Sequence, residues 1–456
     1  MKLLFKLIFG LSAISCAAQE VSIPESVSRA MVFKSVNVIP MDAERVLLNQ
    51  VVVVRNGKIV AMGNEDKIKY NKNAIVIDGK GKYLMPGLAE MHAHVPPIDE
   101  LEPMKEVLLL FAANGVTTIR GMLGHPRHLE LRSKIQSGEI LGPRFITSGP
   151  SFSGNSVPTI EAGAEMVRQQ KKAGYDFLKL HPGLTKEKFA AIEKTAKEVN
   201  IPFAGHVSFD VGVWRAIDAG YATIDHMDGM VESLVPGIEN TNEQENGLFG
   251  MFLAEKADTT KIQKLVTALR DRPIWIVPTQ SLAERWFGPA KDADALANEP
   301  EMKYMDPKTV ANWVNTKKNL VKNAKYSSAS IQNFIDLRRK LIFECNKNGV
   351  GLLLGSDAPQ VFDVPGFSVH QELKYLVDAG LTPFDALRSG TASVGRFLNN
   401  PDIGIIKIGA VADLVLLNGN PLTNIDETKN IAGVMLANKW LSKDWIEKEL
   451  KKLEKK

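Results

Sequence analysis

Cysteine is nearly absent from this chain, with two residues, Cys16 and Cys345, in 456. No disulfide framework can be built on that number, so stability has to come from a large buried core. Charge of one sign is missing too: 56 Lys and Arg against 52 Asp and Glu leave a net +4. With no long basic run outside the tail, nucleic acid is not an expected partner. Beyond the first twenty residues no apolar stretch reaches the ~20 needed to cross a bilayer as a helix. A G-x-G-x-x-G turn is lacking as well, which weighs against a doubly wound nucleotide-binding sheet. Hydrophobic residues make up 45% and charged residues 24%, which excludes disorder and collagen-like repeats and leaves an ordinary globular enzyme composition.

The length exceeds the usual size of one domain, so one large domain with a smaller companion is expected. Lys2 and Lys6 open the chain, Leu7 to Ile14 are apolar, and Ser15-Cys16-Ala17-Ala18-Gln19 supplies a small-residue exit. This three-part pattern reads as an export signal over residues 1–18 and predicts a periplasmic mature protein. Cys16 keeps a lipid anchor open as the lesser alternative, because Ala13-Ile14-Ser15 lacks the leading Leu of a lipid-attachment box.

Two β-rich pieces flank a different middle. Residues 19–85 carry short runs such as Val36 to Pro40 and Val51 to Arg55, separated by Asn56-Gly57, Gly63-Asn64 and Asp78-Gly79. Asn-Gly and Asp-Gly between β-branched runs are hairpin signals. The texture returns over 401–440, and both pieces together predict a small β-sandwich domain formed from the two ends of the chain. Residues 441–456 mix both charge signs at helical spacing and predict a solvated terminal helix.

Residues 86–400 alternate strand-length apolar runs with helical patterns. The runs are Tyr83–Leu88, Val116–Ile119, Arg144–Thr147, Phe177–Leu180, Ile201–Ala204, Ala222–Ile224, Ile274–Val277 and Val350–Leu354. Eight such steps predict an α/β protein with a (β/α)8, or TIM, barrel. Residues 235–341 are the longest departure from short loops; as an insertion after a late strand they form either a lid or extra packing on the rim.

In Met91-His92-Ala93-His94 the two histidines are spaced i and i+2, so on a strand they share one face. His206, His226 and Asp357 each follow an apolar run, at the strand end where barrel enzymes place their chemistry. Neutral imidazoles and a carboxylate suit zinc and related divalent ions. Lys179 lies inside an apolar run, costly to bury as a cation unless paired or discharged, so it is either a strand-end ion-pair residue or part of the site. His125 and His128 read as solvated, and His370 as a surface or capping residue.

With these motifs in view, the chain resembles the amidohydrolase superfamily, and within it the imidazolonepropionase-related group that includes prolidase-like (Xaa-Pro dipeptidase-like) metal-dependent enzymes. The matching segments are Leu84-Met85-Pro86-Gly87-Leu88 with His92-Ala93-His94, Gly115-Val116-Thr117-Thr118, the Lys179 strand, His206, His226, Gly355-Ser356-Asp357, and Gly404 to Val415. The resemblance implies two divalent metal ions, zinc first, with manganese, cobalt or iron as alternatives. His92, His94 and Asp357 would hold one ion and His206 and His226 the other, bridged by Lys179 carboxylated with CO2 to a carbamate. Two such ions lower the pKa of a shared water and polarise a carbonyl, and Asp357 would act as general base and then acid.

The implied reaction is hydrolysis of amide or peptide C–N bonds in small substrates, such as dipeptides or N-acyl amino acids, by a metal-bound hydroxide. The same site acting on esters, lactones or phosphotriesters is the alternative, a barrel that only binds a ligand is a third, and Lys179 weighs against a deaminase. Arg120-Gly121-Met122 departs from the Arg-Asp-Gly common in relatives, and His181 stands where they often carry tyrosine. Arg120 and His181 are therefore candidate substrate contacts. The expected partner is a small-molecule or short-peptide substrate, with self-association into a homo-oligomer left open.

Overall fold

A computed structural model describes residues 29–455. The expected export signal and Cys16 lie outside the described residues.

The first β-rich piece forms five strands: β1 (Met31–Val38), β2 (Leu47–Arg55), β3 (Lys58–Asn64), β4 (Ile75–Asp78) and β5 (Tyr83–Pro86). Asn56 and Gly57 both adopt positive φ between the paired Arg55 and Lys58, the geometry a two-residue hairpin turn demands. The last strands of the chain, β13 (Leu414–Leu417), β14 (Ile431–Leu436) and β15 (Lys439–Ser442), join the same sheet. Its order is β15-β14-β13-β5-β1-β2-β3, with β4 on β1. Leu414 pairs with Pro86 and Leu416 with Leu84, so the two chain ends meet directly in the ladder. Phe33, Val52, Ile59, Leu84, Leu416 and Met435 form a buried cluster within this one mixed sheet.

The middle contributes parallel strands: β6 (Leu88–Ala93), β7 (Val116–Gly121) and β8 (Arg144–Thr147) in one group, and β9 (Leu178–Leu180), β10 (Phe203–Gly205), β11 (Thr223–Asp225) and β12 (Trp275–Val277) in another. All six residues of β6 and of β7 are buried, as expected of parallel strands covered on both faces. Single parallel bridges, Ser148 with Phe177 and Phe152 with Leu180, connect the two groups. On the far side Ile276 bridges Leu352, and the amides of Met91 and Asp357 donate to the carbonyls of Leu354 (2.8 Å) and His92 (3.0 Å). Helices such as Leu101–Ala113, Ile160–Ala173 and Lys186–Glu198 intervene between the strands.

Three sequence expectations change. The apolar run Tyr83–Leu88 is not one strand: it breaks at Gly87, where β5 leaves the mixed sheet and β6 starts the parallel set. A side chain at Gly87 would overlap Thr117 of β7, so only glycine allows the crossing there. The terminal helix, Lys443–Leu453, is not simply solvated. Ile446 is buried, Trp445 and Leu450 pack on the core, and Lys455 pairs with Glu106 at 2.5 Å. Its charges cover one face while its apolar stripe docks. His128 and His370 are likewise buried rather than solvated, His128 beside the Pro96 carbonyl (3.0 Å) and His370 beside Thr428 Oγ1 (3.0 Å).

Candidate active site

Alternation along β6, continued by the residue just past its end, puts Glu90, His92 and His94 on one face. His92 Nε2 lies 3.2 Å from Lys179 Nζ and 3.2 Å from Asp357 Oδ1, and His94 Nε2 lies 2.6 Å from the same oxygen. Lys179 is fully buried in the middle of β9. Its room is made by Gly205 of β10, at φ 116°, where a Cβ would stand 2.6 Å from the Leu180 carbonyl and 2.7 Å from Lys179 Cδ. Gly355 does the same for His92: a Cβ there would meet Val277 and the His92 backbone.

His226 (φ 60°), Thr279 (φ 47°) and Asp357 (φ 71°) all take left-handed backbone without being glycine. Such residues cost of order 1–3 kcal/mol each and collect where a side chain must be aimed. Here the sharp turn sends His226 and Asp357 back over the strand ends. His206 and His226 stack with ring centroids 4.3 Å apart, and His92 and His226 stand 4.4 Å apart.

Three of the histidines are held from behind. Asp228 Oδ2 contacts His206 Nδ1 at 2.7 Å and also accepts from the Val207 amide. Thr279 Oγ1 contacts His226 Nδ1 at 3.0 Å. Asp225 Oδ2 approaches His92 Nδ1 to 2.7 Å, a close charge contact that is out of line for a hydrogen bond. Partners on Nδ1 fix the tautomer and leave Nε2 for a ligand. Burial, more than any neighbour, pushes His206 down to about 3 and His92 and His226 well below the usual imidazole range, so all three are neutral at pH 7. Burial also brings Lys179 down to about 8.

His226 Nε2 is buried with no hydrogen-bond partner. One ligand atom each from His92, His226 and Asp357 falls within 4.8 Å of the others. That trio draws on both of the ligand sets expected from the resemblance. Neutral imidazole nitrogens, a carboxylate and an unpartnered acceptor fit a zinc-like divalent ion.

His181, half-buried, lies beside His206 with ring centroids 5.1 Å apart. Arg120 stands elsewhere: it is buried beneath the histidines, between the rings of Phe177 and Phe397. Its guanidinium donates to the Met91 carbonyl (2.7 Å), Thr223 Oγ1 (3.1 Å) and Asp225 (3.2 Å), so its donors face protein. Sequence reasoning passed over Asp225, Asp228, Thr279 and Glu90. Glu90 accepts from the amides of His92 (3.0 Å) and Ser356 (2.8 Å) and from the Ser356 hydroxyl (2.6 Å), tying β6 to the Asp357 turn. A carboxylate inside the apolar run of β6 was the available signal. Arg338, from the helix Ser328–Lys347, donates to the carbonyls of His226 (2.7 Å) and Pro278 (2.7 Å).

A cavity of about 760 Å³ opens over this cluster and is lined by His206, Asp228 and Asp357, and by Phe249 and Trp286 from the insertion. The Phe249 ring stacks on His226 at 5.3 Å. The insertion thus walls the cavity, while its Trp313 packs inside against Phe362 at 6.0 Å.

Comparison with known proteins adds four findings. A family model described as Amidohydrolase family matches residues 83–441. The solved structure of a Bifidobacterium longum protein assigned as a prolidase superposes with a TM-score of 0.66 at 22% identity, covering 94% of this chain and 99% of that one. A Xaa-Pro dipeptidase with methionine bound in its active site gives 0.65 at 20% identity, over 91% and 100% of the two chains. Such low identities speak for the fold alone. Imidazolonepropionase from Alkaliphilus metalliredigens is 45% identical over 47 residues, which span 10% of this chain and only 11% of that protein.

Proposed function

The chain belongs to the amidohydrolase family, and from that premise we propose that it is a metal-dependent hydrolase of amide or peptide C–N bonds in small substrates such as dipeptides or N-acyl amino acids. The observation that carries this reading is the convergence of His92, His226 and Asp357 around an unpartnered buried nitrogen, with Lys179 Nζ 3.2 Å from His92. In this reading His92, His94 and Asp357 would hold one divalent ion and His206 and His226 the other, with Lys179, as its carbamate, a further ligand. Ions bound there supply Lewis acidity and lower the pKa of water.

The chain's own groups do the rest. Asp357 takes a proton at one carboxylate oxygen and returns it to the leaving nitrogen. Asp228 and Thr279 hold His206 and His226 in one tautomer. Asp225, braced by Arg120, positions His92, which makes Arg120 a positioning residue in this reading. Phe249 and Trp286 keep bulk water from one side of the cavity. The reading extends to the scaffold as a (β/α)8 barrel with a small β-sandwich. The bridges at Ser148, Phe152 and Leu352 support the first by linking the parallel groups, and the joining of both chain ends in one sheet supports the second. Residues 1–18 direct the chain to the periplasm.

A hydrolysis screen of the zinc- and manganese-loaded protein, without residues 1–18, against dipeptides, N-acyl amino acids and esters tests the activity. Turnover of amides that disappears with chelator is expected. Cleavage of esters alone, or amide turnover that survives complete metal removal, would overturn it.

A further inference from the structure

The cavity wall contains a feature that amide hydrolysis does not use. Glu232 opens the short turn Glu232–Leu234, and Asn246 ends the helix Glu243–Asn246, which a capping box between Asn242 and Glu245 holds in place. Asn246 Nδ2 donates to Glu232 Oε1 at 2.9 Å and to the Gly247 carbonyl at 3.0 Å. Two acceptors on that side fix the amide's orientation and turn its oxygen away from them. Asn246 Oδ1 and Glu232 Oε2 are then both buried without a hydrogen-bond partner. Both residues line the cavity that reaches His206 and Asp357.

Unpaired buried acceptors are few in native proteins, and each costs about 1–3 kcal/mol, more for a charged oxygen. Two on one wall, one of them a carboxyl oxygen, suit a donor that also brings positive charge and so favours the ionised carboxylate. An ammonium group offers three N–H bonds and the counter-charge. The rest of the lining agrees. It carries the carboxylates Asp210, Asp228, Glu232, Glu239, Glu243 and Asp357, while its one lysine, Lys186, already stands 3.8 Å from Asp210. A substrate carboxylate entering here meets like charge. Phe249 and Trp286 line the same cavity and give aromatic surface for the apolar stem of an amine. Burial, more than any neighbour, holds Glu232 up at about 7, even though the Asn246 amide and the Arg338 guanidinium favour its charged form.

We propose that Glu232 and Asn246 form a receptor for a substrate ammonium group, so that the enzyme selects amides carrying a positive charge over those presenting a free carboxylate to this cavity. The selectivity rests on the hydrolase reading above, but the receptor is testable without turnover. Calorimetric binding of 4-phenylbutylamine and 4-phenylbutan-1-ol to the metal-loaded protein compares one apolar stem with and without the charge. A charge-assisted hydrogen bond corresponds to at least about tenfold tighter binding of the amine. E232Q, checked for unchanged melting and metal content, should bring the two ligands within about threefold of each other. Equal affinities in the wild type overturn the receptor. So does an amine preference that survives in E232Q, because it then arises elsewhere, including at the metals.

In parallel, amides differing only in a free or acetylated amino group are compared by kcat and KM. The free amine should have the lower KM, and E232Q should raise that KM selectively. Amine binding without hydrolysis of any amide would sink the hydrolase reading and leave the receptor. Hydrolysis indifferent to the charge would do the reverse.

Discussion

Asp228 accepts from two directions, from His206 Nδ1 at 2.7 Å and from the Val207 amide at 3.2 Å. Both contacts hold the segment after β10 from the turn after β11, so its work is to fix one imidazole ring at the cavity wall. Asp228→Asn keeps an oxygen for the ring but loses the charge that strengthens its basicity. Partners of this kind are commonly worth ~10–100-fold in metal affinity. Competitive titration with a chelator should show a loss of that order with the melting temperature little changed. An unaltered affinity would reduce Asp228 to a turn residue. Asp357→Asn asks a different question at the same scale. The amide retains a ligand oxygen but cannot accept and return a proton. General acid–base groups contribute ~10²–10⁴-fold, so kcat should drop by that order while metal content holds. Near-normal turnover with metal retained would remove Asp357 from proton transfer. These residues were unequally legible: His206, His226 and Asp357 announce themselves by following apolar runs. Asp225 and Asp228 flank His226 in sequence, where carboxylates read as a solvated turn until the fold shows them buried.

At the scale of elements, the strands that read clearly were those with turn chemistry or β-branched runs at their borders. The split at Gly87 was hidden because hydrophobicity is continuous from Tyr83 to Met85 and again from Leu88, and only the Thr117 contact makes the break necessary. The insertion was legible as a long departure from short loops, but not its inner order. Within it, Ala283–Phe287 winds as a π-helix, a form that recurs at functional sites. The wider turn leaves carbonyls without partners inside the helix's own ladder. Lys317, almost fully buried on the helix Pro307–Val321, answers them by donating to the carbonyls of Arg285 (2.8 Å), Trp286 (3.3 Å) and Gly288 (2.7 Å). That ammonium therefore fixes the wall segment carrying Trp286. Lys317→Met keeps the apolar stem and strands the buried carbonyls, each at about 1–3 kcal/mol. Denaturant unfolding should show a loss of at least about 2 kcal/mol, and quenching of Trp286 fluorescence by acrylamide should increase. Unchanged stability would mean that water replaces the lysine freely.

For the whole molecule, the proposed ligands come from five separate segments: β6, β9, the turns after β10 and β11, and the turn after Leu354. Among the described residues, few hydrogen bonds other than single bridges join β8 to β9 and β12 to the Leu352 segment. Ions shared among these segments, as proposed above, would link strands on either side of the joins made by single bridges. The α/β alternation and the meeting of both chain ends in one sheet could be anticipated from the alternating apolar runs and the chain-end hairpins. The eighth run, Val350–Leu354, forms only a bridge at Leu352, because ladder strength is not written in hydrophobicity. A ligand that binds only the folded state adds ~4 kcal/mol when its free concentration is a thousand times Kd. Stripping the protein with chelator should thus lower its denaturant midpoint substantially in one cooperative transition, and re-addition of zinc with bicarbonate should restore it. Elemental analysis of the restored protein should give about two ions per chain, the stoichiometry of a two-metal site, and Lys179→Ala should restore less of the stability. Equal midpoints for loaded and stripped protein would show that the strand set is held together without metal. A stoichiometry near one that Lys179→Ala leaves unchanged would take the lysine out of the site altogether.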